Sequence, residues 1–286
     1  MTRLFSVASF LFGIAASSAL WAQSHPEAKA IVSVGGPVTE IIYALGEQSR
    51  LVARDTTSVF PAEASKLPDV GYMRRLSAEG VLSVGPDLII ARDTSGPPEA
   101  LDQLKAASVP VVFTHDGFSP DSVIQSIETV GAALGVDDKA HALAEQVQND
   151  LQSLQTHVDA IDEKQRVLFI LSLDGGRINA AGRDTGAHGI IELAGGENVM
   201  GGAYSGYKLV DAEAIINAAP DLIIMMDGRG NHASRKDEVL ALPAIKLTPA
   251  GRNKRFETVP GAALGFGPRT AEFGLALFEQ IYGSKG

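Results

Sequence analysis

SAEGVLSVGPDLIIA at residues 77–91 and DAEAIINAAPDLIIM at residues 211–225 share one pattern written twice. Glu79 recurs as Glu213, Pro86 as Pro220 and Asp87 as Asp221, and the apolar runs Leu88–Ile90 and Leu222–Ile224 follow, all at one shift of 134 residues. Upstream of each copy stands a Gly-Tyr pair, Gly71-Tyr72 and Gly206-Tyr207, displaced by 135. Each half also holds an apolar helix-like run that ends in glycine, TEIIYALG at 39–46 and HGIIELAGG at 188–196. Several matches in the same order at a nearly constant offset are the mark of an internal repeat, so the chain is predicted to fold as two lobes of similar build.

Short β-rich runs alternate with helical runs in each half, which predicts an α/β fold with a parallel sheet flanked by helices in each lobe. The strand candidates are Ala30–Val34, Leu51–Arg54, Asp87–Ala91 and Val109–Thr114 in the first half, and Arg166–Leu171, Asp221–Met226 and Arg255–Val259 in the second. Between them, Ala140, Leu143, Ala144, Val147, Leu151, Leu154, Val158 and Ile161 recur in steps of three and four, the stripe of one long amphipathic helix. With Asp137 or Asp138 as its cap, that helix would run for roughly 35 Å and join the lobes as a stiff strut. The predicted organisation is a lobe at 23–137, a connecting helix at 138–162 and a second lobe at 163–286.

Residues 1–22, MTRLFSVASFLFGIAASSALWA, place one early cation, Arg3, before an apolar run and small residues, the layout of a secretory signal peptide cleaved after Ala19 or Ala22. No later apolar run approaches the roughly 18 residues that a membrane span needs. The chain has no cysteine, hence no disulfide framework and no thiol for a lipid anchor. These features predict a freely diffusing periplasmic monomer. Lys and Arg number 24 against 34 Asp and Glu, a net charge of −10, which argues against nucleic acid as a partner.

Two α/β lobes on a strut enclose a cleft, and loops at the carboxyl ends of parallel strands are where a ligand is expected. VGYMRR (70–75) precedes the first repeat helix and YSGYKLV (204–210) the second, so Tyr72 and Tyr207 are predicted to approach the cleft from opposite sides. Tyr204 and Lys208 stand near the second, and the loop after DLIIMM brings Asp227, Gly228 and Arg229. Aromatic walls with cationic edges suit a large, flat, apolar ligand that carries negative groups. An enzyme is not indicated: the chain lacks a G-x-S-x-G elbow, a P-loop, a cysteine nucleophile and a G-x-G-x-x-G loop. Gly265-Phe266-Gly267 reads as a tight turn before the last helix, with Phe266 near enough to touch a ligand.

LPDVGYMRRLSAEGVLSVGPDLIIA (67–91) and LPAIKLTPAGRNKRFETVPGAALGFGPRT (242–270) resemble the periplasmic haem-binding proteins of bacterial haem-uptake ABC transporters. The resemblance covers nearly the whole mature chain. It lies within a wider class that also binds siderophores and cobalamin, which is the alternative reading. It implies two Rossmann-like α/β lobes joined by a rigid helix, with ferric haem b as the transported ligand. It also implies delivery to an inner-membrane haem ABC permease with its ATPase, and an outer-membrane haem receptor system upstream. The tyrosine of the family's GYMR motif is an axial ligand of the haem iron; carried over, that residue is Tyr72. The choice is chemically apt, since ferric iron is a hard cation and a phenolate oxygen a hard anion. A free phenol ionises only near pH 10, so iron and a nearby guanidinium must favour the anion. Arg74 and Arg229 are the expected helpers, and Met73, Tyr204, Tyr207, Lys208 and His188 the further ligand contacts. Some relatives add a histidine ligand from the second lobe, but LFILSLDGGR has none there, leaving His188 as the substitute. Lys208, Arg183 and Arg92 are all open for the haem propionates. In the wider class one glutamate from each lobe tip docks onto permease arginines, and Glu79 and Glu213 match in motif and repeat position.

Overall fold

The repeated Pro-Asp pairs show why the phrase occurs twice. Asp87 accepts the backbone N–H groups of Lys29 and Ala30 at 2.8 and 2.9 Å, just ahead of the first strand. Asp221 accepts from the N–H of Arg166 at 3.1 Å, at the start of the fifth. In each lobe, therefore, the carboxylate before one strand sets the start of its parallel neighbour and holds the two in register. The structure is a computed structural model that describes residues 24–227 and 235–283. The predicted signal peptide, Arg229 and His232 lie outside the described residues.

The first sheet holds β1 (Ile31–Val34), β2 (Leu51–Arg54), β3 (Leu88–Arg92) and β4 (Val111–Thr114), all parallel, in the order β2-β1-β3-β4. Its central strands β1 and β3 are buried along their whole length, as near-continuous apolar runs covered on both faces must be. Helices α1 (Gly36–Ala44), α2 (Ala78–Leu82), α3 (Pro98–Ala106) and α4 (Pro120–Leu134) cover it. All four strands predicted for this half form, displaced by at most two residues.

The second sheet corrects the expectation of a wholly parallel array. It contains β5 (Arg166–Asp174), β6 (Arg177–Ala181), β7 (Glu197–Asn198), β8 (Tyr207–Val210), β9 (Leu222–Asp227) and β10 (Phe256–Pro260), in the order β10-β9-β5-β6-β8 with β7 beside β5. β10, β9 and β5 are parallel, but β6 runs antiparallel to β5, and β8 antiparallel to β6. The cause is a two-residue hairpin. Gly175 and Gly176 both take positive φ, 57° and 82°, the conformation that a primed turn demands at its two central positions. Instead of ending at Leu171, β5 continues to Asp174 and returns as β6, with Asp174 opposite Arg177. Helices α6 (Gly186–Leu193), α7 (Ala212–Ala218), α8 (Lys236–Ala241), α9 (Pro243–Lys246), α10 (Pro249–Asn253) and α11 (Thr270–Tyr282) complete this lobe.

Between the sheets α5 runs unbroken from Asp137 to Asp159. Its N-cap is Val136, so Asp137 and Asp138 do not cap it; they lie in its first turn, where carboxylates favour the helix dipole. Ala140, Ala144, Val147, Leu151 and Leu154 of the predicted stripe are buried. Two glycines seat the helix closely. A Cβ on Gly131 of α4 would lie 2.1 Å from that of Ala140, and one on Gly274 of α11 would lie 2.5 Å from Leu154. One buried cluster runs from Ile31 and Ile127 through Ala140 and Leu151 to Val167, Ile191 and Ile281, so the two lobes share a core.

A polar clasp closes the same junction. Arg269, at the N-terminus of α11, donates from Nε and Nη2 to both oxygens of Glu40 on α1, at 3.0 and 2.8 Å. Its guanidinium stacks 3.5 Å from the centre of the Phe60 ring and 4.7 Å from that of Phe273. Nearby, Phe118 of the first lobe meets Phe266 of the second edge to face at 5.7 Å. Burial drives the Glu40 carboxyl above its usual range, more strongly than Arg269 draws it down. Arg269→Ala leaves that carboxylate buried without its partner and should cost about 3 kcal/mol at neutral pH. Chemical denaturation measures the loss. Because the folded pKa of Glu40 is raised, wild-type stability should fall relative to Glu40→Gln as pH rises from the ordinary carboxylate range through that raised value.

Candidate functional site

The carboxyl end of β2 and the loop after β3 converge on the Gly-Tyr segment of the first lobe. Arg54 closes β2 and donates to Asp69 at 2.8 Å. Asp69 also accepts from Thr56 Oγ1 at 3.1 Å and from Gly71 N at 2.9 Å, and Thr56 N donates to Gly71 O at 3.0 Å. Gly71, at φ 99°, turns the chain out of this lattice, a backbone conformation that a side chain would resist. Tyr72 follows, and Met73–Arg75 form a 3₁₀ turn. The turn is laced to the loop after β3 by Gly96 N donating to Met73 O and Leu76 N to Gly96 O, at 2.9 and 2.8 Å. Tyr72 is thus fixed on both sides while its side chain stays 39% exposed.

Met73 does not join it at the surface. Its side chain is 6% exposed and packs in the first lobe's core with Val70, Leu76 and Val81, which removes it from the ligand contacts expected of the motif. Arg74 is exposed and has charged neighbours. Burial pulls the Arg92 guanidinium down to about 10, and the Arg74 cation adds to the fall, against support from Asp93 and Asp55. Arg92 itself pairs with Asp116 and is buried, so it is committed to the protein rather than open to a propionate.

The repeat is kept in the second lobe, but in another form. Gly206, like Gly71, takes a positive φ, here 79°, and Arg183 bridges to Ser205 as Arg54 bridges to Asp69. Tyr207, however, opens the edge strand β8 instead of a 3₁₀ turn. Its ring is half-buried; burial raises the hydroxyl's pKa, while hydrogen bonding with Thr185, the Arg74 guanidinium and the Ala187 backbone draw it back. The Arg74 charge of the first lobe is therefore felt at the Tyr207 hydroxyl of the second.

Tyr204 serves the fold. Its hydroxyl donates to Ala180 O at 3.1 Å, its ring covers Gly182, and burial pushes it up to about 12. The Lys208 ammonium stands 5.4 Å from the centre of that ring and is exposed, as is Arg183. His188, in the first turn of α6, points Nδ1 towards Asn198 at 3.4 Å. Glu79 and Glu213 occupy the first turns of α2 and α7, both exposed, each following an N-cap side chain, Ser77 and Asp211.

Two features at the strand ends escaped the sequence reading. The triplet Arg-Asp-Thr occurs three times, at 54–56, 92–94 and 183–185, and each copy marks a strand end or the turn just beyond one. His115, one residue past β4, is exposed and holds Nδ1 3.3 Å from Asp93. Its position directly after a predicted strand was the available signal.

Two α/β lobes around a shared helix, with loops at the carboxyl ends of their parallel strands, have the build of a solute-binding protein. The chain matches the periplasmic binding protein family over residues 31–263 and belongs to it. Family membership means a binding protein rather than an enzyme, placed outside the cytoplasmic membrane and working with a membrane permease and its ATPase. An uncharacterised ABC transporter substrate-binding lipoprotein of Bacillus subtilis is 31% identical over 261 residues, 90% of this chain and 81% of its own. A vitamin B12-binding protein of Vibrio parahaemolyticus is 28% identical over 216 residues, 74% of this chain and 77% of its own. Among solved structures, the periplasmic haem-binding protein RhuT of Roseiflexus in apo form aligns at TM-score 0.84 and 36% identity, over 89% of this chain and 98% of that one. The periplasmic haem-binding protein BhuT in complex with two haems aligns at TM-score 0.84 and 36% identity, over 88% and 97%.

Removing Arg74 takes a cation away from the Tyr207 hydroxyl, so Arg74→Ala should raise the Tyr207 pKa further. Alkaline titration followed by phenolate absorbance, with Tyr207→Phe as the subtraction, reads the shift. An unmoved Tyr207 transition would separate the two residues.

Proposed function

We propose that this chain captures ferric haem b between its lobes, with the Tyr72 phenolate as axial ligand of the iron, and delivers it to an inner-membrane haem permease. The observation that carries the reading is the setting of Tyr72: a tyrosine exposed on a segment pinned from both sides, two residues from an exposed arginine whose charge reaches the Tyr207 hydroxyl of the opposite lobe. A rigid mount presents one hard oxygen at a fixed place, and a guanidinium nearby favours its anionic form. The anionic ligand in turn favours oxidised iron, which suits a carrier that must keep its cargo from redox chemistry. Solved structures at 36% identity, both of periplasmic haem-binding proteins, support the choice of ligand.

Around the iron, Arg74 and Tyr207 meet from opposite lobes, and Lys208 and Arg183 supply exposed cations for the propionates. Arg229 would add another from the loop after β9. Tyr204, Met73 and His188 contribute through packing. Glu79 and Glu213 would orient the carrier, as matched anions on opposite lobes, against cations of a permease with two similar halves.

Haemin titration followed by absorbance tests the binding reading. The wild type should develop a Soret band with the charge-transfer features of phenolate-bound ferric haem. Tyr72→Phe should lose those features and bind more than about tenfold more weakly, at least the loss that a change in an iron site's outer shell brings. A protein that ignores haemin and binds cyanocobalamin would instead carry the cobalamin reading. For delivery, Glu79→Ala/Glu213→Ala should bind haemin as the wild type does yet fail to support haem-dependent growth; normal growth would remove the docking role.

A further inference from the structure

The loop after β2 exposes two apolar residues that the fold holds in place rather than buries. Among the described residues six large apolar or aromatic side chains are exposed, and of these Val59, at 44%, and Phe60, at 42%, are adjacent in the chain. Scattered single apolar residues on a surface need no explanation, but adjacent ones on a braced loop just beyond the carboxyl end of a parallel strand do.

The bracing is extensive. Asp55 is fully buried and accepts from Gly35 N, Thr57 N, Thr57 Oγ1 and Ser58 Oγ at 3.0, 3.0, 2.8 and 2.7 Å. Ser58 in turn accepts from Thr39 Oγ1 at 2.6 Å, and Thr39 is hydrogen-bonded to Ser33 at 2.7 Å. A carboxylate so fully satisfied out of water fixes the loop that surrounds it. The same loop is tied to the Tyr72 segment through Thr56 N and Gly71 O. On its far side Phe60 meets the second lobe, where the Arg269 guanidinium stacks on its ring. Val59, Phe60 and Tyr72 therefore belong to one rigid assembly that reaches from the proposed iron ligand to the junction of the lobes.

We propose that Val59 and Phe60 are specificity-determining contacts for the apolar face of the bound macrocycle. This inference rests on the haem reading but concerns the ring rather than the metal. Tyr72 recognises iron through one oxygen, which by itself would accept many ferric complexes. An apolar pair held rigidly beside it selects a flat hydrophobic ring and loses little conformational entropy on binding.

The test compares haemin with metal-free protoporphyrin IX on the full mature protein. Val59→Ser/Phe60→Ser should bind both ligands about tenfold or more weakly, as expected when two large apolar contacts are lost. Its charge-transfer band with haemin should stay at the wild-type position, because Tyr72 is untouched. Tyr72→Phe should show the converse, losing affinity for haemin far more than for protoporphyrin IX. Binding of both ligands by the double variant within about twofold of wild type overturns the inference, as does a shifted charge-transfer band. If the double variant loses its cooperative thermal transition, Val59→Ser decides, since Val59 makes no contact with the Arg269 clasp among those described. Weaker protoporphyrin IX binding supports the inference, and unchanged binding overturns it. A wild type that ignores haemin sinks the haem reading and this inference together, whereas a wild type that binds it alongside an indifferent double variant sinks this inference alone.

Discussion

Arg269 cannot leave Glu40 without stranding a carboxylate that burial already pushes towards its neutral form. That pair spans the two lobes, and around it the continuous core of α4, α5, α6 and α11 leaves no apolar boundary along which they could part. Packing and a clasped ion pair thereby resist a change in the angle between the lobes. The proposed binding site draws residues from both sides and so depends on that angle. A site held in this way would bind with little rearrangement, which would keep the entropic cost of capture low.

The two lobes use one plan with different finishing. Both place an aspartate ahead of a central strand, a left-handed glycine before a tyrosine, and a short capped helix bearing a glutamate in its first turn. They diverge where the ligand is expected. In the first lobe the tyrosine segment folds into a 3₁₀ turn that anchors Met73 inward and leaves Tyr72 outward. In the second a hairpin adds β6 and β8 to the sheet, and Tyr207 is drawn half into the core as part of a strand. The same dipeptide thus gives an accessible oxygen on one side and a shielded one on the other, which is why the two tyrosines are assigned unequal roles.

Much of this was legible residue by residue. The offset repeat announced paired lobes because each copy performs the same register-setting task at the start of a parallel strand. The stripe of Ala140, Ala144, Val147, Leu151 and Leu154 announced a long helix because burial on one face has the period of the helix itself. Other features were written in the chain and passed over: Gly175-Gly176 is a hairpin signal, and the threefold Arg-Asp-Thr marks strand ends. Met73 was misplaced because its neighbours in sequence belong to the motif, whereas its neighbours in space belong to the core. The expected caps of α5 failed similarly, since an aspartate within the first turn serves the dipole as well as one that precedes it.

Local sequence determined what local forces decide: the periodicity of helices and strands, the glycines that turn the chain, and the paired motif that carries Tyr72. Tertiary structure alone decided which distant groups meet. That the Arg74 charge is felt at Tyr207, that Arg92 is taken up by Asp116, and that Arg269 joins Glu40 to Phe60 depend on the approach of segments distant in the chain. No spacing or period encodes such pairings, because they arise from how two independently readable lobes pack around one helix.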